Sequence, residues 1–360
     1  MLKMNRRSSL WLASAILFLI PTILSVKVIK YYWDYRSIPS KHLIGNRISN
    51  LKTLEEKGFP FSFLIIGDTK GSETAESLIE MALEKWTASF MIILGDFVRK
   101  PDIWKHRFFM TEMTREISLP FPVFLVTGNH DIDDTREVTK QTERRVTSEV
   151  FESLYGPKDF DFVVNNCLFI ICDNNYPRNR SSYLCYLRKT LSKRREGKKH
   201  VFVFMHCPPS GLAKHLSGEI PDEEFFTLLE SYRVTACFFG HYHGYWRGQK
   251  KGVNYIVSGG GGAHLRDPGG VRLHHILKIT VWQEKISEEI ITTQGQNVWE
   301  DRFEEWAFTN LFPVLYGKGW ILYGIFIFFL ALVIYSVASF AISLKRTLVE
   351  NRKKSEKIKH

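Results

Sequence analysis

Residues 122–131 have the sequence PVFLVTGNHD. The run 122–126 is short, apolar and bounded by proline, which is typical of a strand buried on both faces of a sheet. Polar residues follow directly, and Gly128 permits a tight turn that aims the next side chains back toward the strand end. This stretch therefore predicts a buried strand whose carboxyl end carries chemically active groups.

The same pattern recurs along the chain and indicates an α/β protein. Further strand-like runs are FSFLII (61–66), FMIIL (90–94), CLFIIC (167–172), HVFVFM (200–205), TACFF (235–239) and NYIVS (254–258). Residues 72–86 have apolar positions at helical spacing, and 183–193 and 223–232 also fit helices. Alternating strands and helices predict layered sheets and helices of the mixed α/β class.

Five of the strand-like runs end at residues that can bind metal ions. These residues are Asp68, Asp96, Asn129, His206, His241 and His243. In α/β folds, ligands bind outside the carboxyl ends of strands, so these side chains are expected to converge. Carboxylate and amide oxygens combined with imidazole nitrogens favour Mn, Fe or Zn over Ca. One or two such ions can hold a phosphate and lower the pKa of a water molecule.

The order Gly-Asp, Gly-Asp, Gly-Asn-His-Asp, His and Gly-His-x-His resembles the calcineurin-like metallophosphoesterase superfamily over roughly residues 60–280. The resemblance implies a two-sheet sandwich flanked by helices, with a two-metal site. By position it implies that Asp68, Asp96 and His243 hold one metal, and that Asp96, Asn129, His206 and His241 hold the other. Asn129 would also contact the substrate.

The resemblance also implies catalytic roles beside the metals. His130 would lie near the leaving oxygen, as a general acid or a transition-state donor, and Asp131 would orient it. Arg99 stands where the family commonly has an acidic or amide residue. It is either a phosphate contact or a solvated loop charge.

Lys70 is the main departure from the family pattern. The first motif is usually Asp-x-His, and this chain has Asp68-Thr69-Lys70. A protonated lysine cannot bind a metal, so three outcomes are open. Lys70 points away and leaves a weaker first site, its ammonium replaces the first metal and clamps phosphate, or the site is degenerate and inactive.

Two long runs without a charged residue predict membrane spans. They cover residues 9–26 and 320–344, and a bilayer core needs about 20 apolar residues in a helix. The alternative for the first run is a cleaved signal peptide, although it lacks a clear cleavage site. The alternative for the second run is a buried core helix.

The net charge of +11 is concentrated at the two ends of the chain. Residues before the first run contribute +3 and the tail 345–360 contributes +5, which leaves +3 for the region between. Basic flanks favour the cytoplasm, so both termini are predicted inside and the central domain outside, in the periplasm, a lumen or the extracellular space. Lys27, Lys30 and Arg36 after the first run argue the other way. The modest central charge disfavours nucleic acid as a partner.

The sequence thus predicts a cytoplasmic N-terminus and first span (1–26), a linker (27–59) and a metallophosphoesterase domain (60–292). A juxtamembrane segment (293–319), a second span (320–344) and a basic cytoplasmic tail (345–360) follow. The predicted function is hydrolysis of a phosphomonoester or phosphodiester by metal-activated hydroxide. A lipid or glycolipid phosphoester is the candidate substrate. The alternative is a degenerate protein of this fold that binds phosphate or a partner without turnover.

Overall fold

A computed structural model describes residues 6–36, 43–54, 58–134, 144–175, 180–209, 212, 223–266, 270–295, 299–315 and 318–357. The chain forms two compact units. One consists of Met1–Ser37 with Glu304–His360, and the other of Ile38–Phe303.

The described helices are α1 (Arg6–Arg36), α2 (Ile48–Leu51), α3 (Glu73–Lys85), α4 (Ile103–Thr111), α5 (Ser148–Tyr155), α6 (Arg180–Arg194), α7 (Glu223–Ser231), α8 (Trp299–Trp306), α9 (Phe312–Leu315) and α10 (Trp320–Lys357). Two π-helical turns span Glu112–Glu116 and Ala307–Leu311. The described strands are β1 (Phe61–Ile66), β2 (Met91–Ile93), β3 (Val123–Leu125), β4 (Phe160–Val164), β5 (Cys167–Ile171), β6 (His200–Phe204), β7 (Ala236–Phe239), β8 (Tyr245–Lys250), β9 (Val253–Ser258), β10 (His274–Val281) and β11 (Ile286–Thr293).

The unit Ile38–Phe303 contains two mixed β-sheets. The first has the order β11-β10-β1-β2-β3, in which β1, β2 and β3 are parallel. The second has the order β4-β5-β6-β7-β9-β8, in which β5, β6, β7 and β9 are parallel and both edge strands are antiparallel. Because parallel strands end at the same edge of a sheet, the carboxyl ends of β1, β2 and β3 lie side by side in the first sheet. The carboxyl ends of β6 and β7 lie side by side in the second sheet.

Aromatic side chains fill the space between the two sheets. Phe63 of β1 meets Phe169 of β5 edge to face, with ring centroids 5.4 Å apart, and both rings are fully buried. Burying one such ring stabilises the fold by roughly 1.5–3 kcal/mol. Strand β1 also shows the expected alternation, since Phe63 and Ile65 face this layer while Leu64 and Ile66 face the opposite side.

Helices cover the outer faces of both sheets. The core on one outer face includes the buried stripe of α3 and residues of α4 and α5, and the core on the other includes residues of α6 and α7. Helix α3 begins where Ser72 accepts a hydrogen bond from the Ala75 N–H, which satisfies one free donor of the first turn. The prediction of a two-sheet sandwich flanked by helices is confirmed.

The strand predictions are confirmed to within one residue at each end. Four strands were not predicted, namely β4, β8, β10 and β11. They alternate between buried and exposed positions or lie at a sheet edge, so they lack the continuous apolar run that identified the others. Helices α4 and α5 were also not predicted.

Helices α1 and α10, in the other unit, lie antiparallel to each other. Ser8 Oγ is 2.9 Å from Ser343 Oγ near one end, and Trp11 packs edge to face on Tyr335 at 5.6 Å. Near the other end, the Trp33 indole N–H of α1 donates a hydrogen bond to the Tyr323 hydroxyl of α10. This pairing brings the beginning of α1 and the later part of α10 to the same end of the pair.

Both of these helices are long and apolar enough to cross a membrane, over Arg6–Asp34 and Trp320–Asn351. Most of their apolar side chains are exposed; Leu17 is 65% exposed and Phe328 is 60% exposed. Both helices extend beyond the predicted spans. Helix α1 continues to Arg36, through the start of the predicted linker, and α10 continues to Lys357. The ends of the predicted cytoplasmic segments, residues 1–5 and 358–360, lie outside the described residues.

Candidate metal centre

The carboxyl ends of β1, β2, β3, β6 and β7 converge on one buried cluster. Close approach of the turns depends on glycine, because a Cβ at Gly128 would lie 2.2 Å from the Asp96 backbone nitrogen. A Cβ at Gly95 would lie 2.6 Å from His206 Nδ1, and Gly95 also has a φ of +86°. Asp96 itself has a φ of 54°, in the left-handed region that non-glycine residues rarely adopt.

On one side of the cluster, potential metal-ligand atoms from four residues surround a common space. His206 Nδ1 lies 2.7 Å from the Leu94 carbonyl oxygen, which can only accept, so Nδ1 carries a proton and Nε2 is the ring nitrogen directed into this space. That Nε2 is 3.1 Å from Asn129 Oδ1 and 3.3 Å from His241 Nδ1. It is also 3.5 Å from Asp96 Oδ1. We call this set, Asp96, Asn129, His206 and His241, the amide side.

The separations on the amide side fit a bound cation. Asn129 Oδ1 is also 3.1 Å from His241 Nδ1, so three ligand atoms form a nearly equilateral triangle. Metal–ligand bonds of about 2.0–2.1 Å in a tetrahedral site place ligand atoms about 3.3 Å apart. A metal ion bound here would replace the protons that hold these atoms at this spacing. The donor set therefore fits a divalent metal ion.

The other side of the cluster contains Asp68, Lys70 and His243, and we call it the lysine side. His243 Nδ1 donates to the His264 carbonyl oxygen at 2.8 Å, so its Nε2 faces Asp68 Oδ1 at 3.3 Å. Asp68 Oδ2 accepts the His241 backbone N–H at 2.8 Å, whereas the buried Asp68 Oδ1 has no hydrogen-bond partner among the residues that the structure describes.

Lys70 points into the site. Its Nζ lies 3.3 Å from Asp96 Oδ2, and its side chain is 14% exposed. Its backbone N–H also donates to the Asp96 carbonyl oxygen at 3.0 Å. Of the three outcomes that the sequence left open for this residue, the one in which Lys70 points away is wrong.

His130 lies at the exposed rim of the cluster. Its side chain is 40% exposed, and Nε2 is 3.8 Å from Asp96 Oδ2. Nδ1 donates to the Arg99 carbonyl oxygen at 2.9 Å, so the other ring nitrogen is directed toward the site. Arg99 thus contributes its backbone, while its side chain is exposed.

Asp131 does not orient His130, contrary to the expectation from the family pattern. Its Oδ2 accepts the backbone N–H groups of Asp96 at 2.8 Å and Gly128 at 2.7 Å, and its Oδ1 accepts that of Val98 at 3.2 Å. Asp131 therefore ties the β2 and β3 turns together. The prediction failed because the buried amides of these glycine-containing turns need an acceptor, and Asp131 is the side chain that reaches them.

The ionisation of the cluster reflects burial and crowding of charge. Burial raises the pKa of Asp68, and burial followed by the charge of Asp96 raises the pKa of Asp131 to about 7. Burial alone would also raise the pKa of Asp96, but the positive charges of His206, His130 and Lys70 bring this pKa below its ordinary value. Burial followed by repulsion from His206 lowers the pKa of His241 to about 3, which keeps it neutral and able to bind a metal.

Sequence reasoning missed two neighbouring residues, Asn174 and Asn175, that shape the amide side. Asn174 Oδ1 accepts the backbone N–H groups of His206 at 3.2 Å and Cys207 at 3.1 Å, and its Nδ2 donates to the Cys207 carbonyl oxygen at 2.7 Å. Asn175 is buried and donates to the Thr127 carbonyl oxygen. The signal was available, because Asp173-Asn174-Asn175 follow β5 directly, just as the predicted ligands follow their strands.

In the described residues, two groups of three side chains could each hold a metal ion, because the potential ligand atoms within each group all lie within 4.8 Å of one another. One contains Asp68, Asp96 and His206, and the other contains His206, Cys207 and His241. Asp96, Asn129, His206 and His241 thus lie together as the sequence predicted, with Asp68 and His243 adjoining them. This architecture and donor set define the class of metal-dependent phosphoester hydrolases.

The chain belongs to the calcineurin-like phosphoesterase family, whose model matches residues 61–245. This family uses one or two divalent metal ions. The chain is 28% identical over 224 residues to the human serine/threonine-protein phosphatase CPPED1, a match that covers 55% of this chain and 65% of that protein. The Bos taurus protein of the same name is 26% identical over 221 residues, covering 55% and 66%. The match therefore spans just under two thirds of these relatives' length.

Among solved structures, the fold is similar to that of the purple acid phosphatase PPD1 from yellow lupin (Lupinus luteus) seeds. The TM-score is 0.53 at 16% identity, and the match covers 69% of this chain and 56% of that one. At this identity the similarity supports the shared fold alone.

Proposed function

We propose that this protein is a membrane-anchored, metal-dependent phosphoester hydrolase, and that the amide side holds a divalent Mn, Fe or Zn ion. The observation that carries the proposal is the convergence of Asn129 Oδ1, His206 Nε2 and His241 Nδ1 within 3.1–3.3 Å of one another. Two of these atoms are imidazole nitrogens, and the third is an amide oxygen. This donor set suits a borderline divalent ion, which on binding would displace the protons that these nitrogens hold.

The metal, when bound, would polarise the phosphoryl group and lower the pKa of a water molecule. The chain's own residues would do the rest. Asp96, buried between the two sides, would present Oδ1 to the amide side and Oδ2 to the lysine side. Asp131 would hold the turns that carry Asp96 and Asn129 at a fixed separation, through its bonds to their backbone.

His130 would supply the proton to the leaving oxygen. Its Nδ1–H is fixed by the Arg99 carbonyl, so its Nε2 faces the cluster from the exposed rim, where a substrate enters. A protonated Nε2 at this place can donate to an alkoxide as the bond to phosphorus breaks. Lys70 would attract the phosphoryl oxygens by its charge.

The activity is tested with bis(p-nitrophenyl) phosphate and p-nitrophenyl phosphate, using the full-length chain in detergent with added Mn²⁺. We expect turnover of at least one of the two, abolished by a chelator and restored by metal. Binding of metal without turnover of either substrate would support the degenerate alternative, which the unusual Lys70 favours.

We infer that the substrate is a phosphoester carried by a membrane lipid or glycolipid. The support is the presence of two helices long and apolar enough to span a bilayer on either side of the phosphoesterase unit in sequence. The CPPED1 relatives instead carry the name of serine/threonine-protein phosphatases. Vesicles containing a lipid phosphomonoester and a soluble phosphoserine peptide would be compared as substrates, and faster turnover of the peptide would overturn the lipid assignment.

We propose further that both termini are cytoplasmic and that the phosphoesterase unit lies on the opposite side of the membrane. The antiparallel pairing of α1 and α10 and the basic residues at both ends of the chain support this topology. Cys185 is exposed on the phosphoesterase unit. A membrane-impermeant maleimide should label Cys185 in intact cells or sealed luminal-side-out vesicles but not its Cys185→Ser variant. Labelling of Cys185 only after the membrane is lysed would show that the phosphoesterase unit lies on the cytoplasmic side, contrary to this proposal.

A further inference from the structure

Asp96 divides its two carboxylate oxygens between two different kinds of partner. Oδ1 accepts the His130 backbone N–H at 2.9 Å and faces His206 Nε2 on the amide side. Oδ2 lies 3.3 Å from Lys70 Nζ. A carboxylate can bridge two metal ions by giving one oxygen to each ion. Here the oxygen that would serve a second ion already has a cationic partner.

Lys70 is held in this position from both ends. Its backbone has a φ of 51°, a left-handed conformation that a lysine rarely adopts, and its N–H donates to the Asp96 carbonyl oxygen. Its Nζ meets the carboxylate of the same residue. A long, flexible side chain loses much conformational freedom when it is fixed in this way. The double attachment to Asp96 therefore marks a built feature of the site.

An ammonium group in this place competes with a metal ion and substitutes for part of its action. It has no lone pair, so it cannot bind a metal, and its charge repels a second dication at the same carboxylate oxygen. Its N–H groups and positive charge can, however, hold a phosphate oxygen. It thus replaces the electrostatic contribution of an ion without replacing its ability to acidify water.

We propose that the Lys70 ammonium takes the place of the first metal ion, so that the protein binds a single divalent ion, on the amide side. This inference rests on the proposed function, because it names the cation content of the same site. Asp68 is then a positioning residue. Its Oδ2 fixes the His241 backbone N–H, and its Oδ1 faces His243. Phosphate is held between one ion and one ammonium.

The test is the metal content of the full-length chain in detergent, measured by elemental analysis after chelation, reloading with Mn²⁺ and removal of excess ion. We expect one ion per chain for the wild type and two for Lys70→His, which restores a ligand in place of the ammonium. Lys189→His makes the same substitution at an exposed position of α6 and should stay at one ion. Electron paramagnetic resonance of the Mn²⁺-loaded wild type should show an isolated ion.

The outcomes separate the two proposals. Two ions in the wild type, or the spectrum of a coupled pair, would overturn the role of Lys70 while leaving the phosphoesterase function intact. One ion in both the wild type and a folded Lys70→His variant would also overturn it. No bound ion in any variant would instead contradict the proposed function. If Lys70→His does not fold, the wild-type ion count and spectrum still decide the question.

Inorganic phosphate provides a second readout. Lys70→Met removes the charge and keeps the length of the side chain, so it should retain one ion and bind phosphate at least about tenfold more weakly, the loss expected for one charge-assisted hydrogen bond. Phosphate affinity unchanged from the wild type would show that the ammonium does not contact the anion, and would overturn this part of the proposal.

Discussion

The two sides of the metal centre lie at the carboxyl ends of neighbouring strands but differ in where their positive charge comes from. On the amide side, ligand atoms of Asn129, His206 and His241 lie within 3.1–3.3 Å of one another, an arrangement that suits a divalent cation. On the lysine side, the chain supplies its own cation at 3.3 Å from Asp96 Oδ2. On our proposal, a fold that can hold two ions keeps its architecture while a side chain fills one of the two positions.

The largest effect is expected from Asp96→Asn, because Asp96 belongs to the amide side and also contacts Lys70 on the lysine side. The variant loses the charge that attracts the ion and the charge that holds Lys70. Activity should fall by well over about 100-fold, which is the upper range for residues that only support a ligand. The measurement is kcat/KM with p-nitrophenyl substrates alongside metal content, and a variant with near-normal activity would show that the two sides work independently.

His206→Ala and His243→Ala form a matched pair that separates the two sides. His206→Ala should lower Mn²⁺ affinity by more than about 100-fold, since it removes a ligand. His243→Ala should lower it by less than about tenfold, because His243 faces Asp68 on the side that already has an ammonium. Titration calorimetry of both variants measures the difference. Equal losses would mean that the lysine side binds an ion as well.

His130→Asn should lower kcat without removing metal. Proton donation of this kind contributes about 10²–10⁴-fold, and the loss should depend on the leaving group. We expect a large loss with an alkyl phosphoester, whose alkoxide needs a proton, and a smaller loss with a p-nitrophenyl ester, whose phenolate does not. An equal loss with both leaving groups would contradict the assignment of His130 as the acid.

Asn174→Ala should weaken the amide side alone. Asn174 holds the turn that carries His206 through three hydrogen bonds to the backbone of His206 and Cys207. Supporting partners of this kind change metal affinity by about 10–100-fold. Asn174→Asp keeps the acceptor oxygens and should restore part of the affinity. A variant that binds metal normally but unfolds at lower temperature would show that Asn174 stabilises the fold without positioning the ligand.

The smallest effect at neutral pH is expected for His106, which lies behind the cluster. Its Nε2 donates to the Asp131 carbonyl oxygen at 2.9 Å, and burial lowers its pKa to about 4. In the unfolded chain the His106 imidazole takes up a proton near pH 6.5, whereas in the folded protein it does so only near pH 4. The free energy of unfolding therefore decreases as the pH falls from about 6.5 to 4. A shift of this size is worth roughly 3 kcal/mol.

Denaturant unfolding of the metal-free protein between pH 7 and 4 measures this dependence. His106→Gln can keep a donor to the Asp131 carbonyl but cannot titrate, so it should flatten the acid slope while changing metal affinity little. An unchanged slope in the variant would assign the acid sensitivity to other groups.

The sequence was most informative where a buried strand ends in polar residues. Continuous apolar runs such as FSFLII predict parallel strands directly, because strands buried on both faces need no polar alternation. The ligands at their ends could be predicted for the same reason, since parallel strands deliver their carboxyl ends to one edge of the sheet. Edge strands such as β8, with the sequence YWRGQK, carry no such signal.

The residues that sequence reasoning misassigned are those whose role depends on backbone geometry. Asp131 holds three backbone N–H groups instead of the His130 ring, and the carbonyls of Arg99 and His264 orient imidazoles. A carbonyl oxygen belongs to every residue type, so no sequence pattern marks it. The direction of Lys70 likewise depends on the left-handed turn after β1, which its residue type disfavours.

The central claim is that the amide side binds a divalent cation. Anomalous diffraction from crystals of the full-length protein grown with Zn²⁺ tests it most directly. The account predicts a peak about 2.0–2.2 Å from Asn129 Oδ1, His206 Nε2 and His241 Nδ1 together. A map with no peak within bonding distance of these three atoms, in crystals shown to contain zinc, would contradict it.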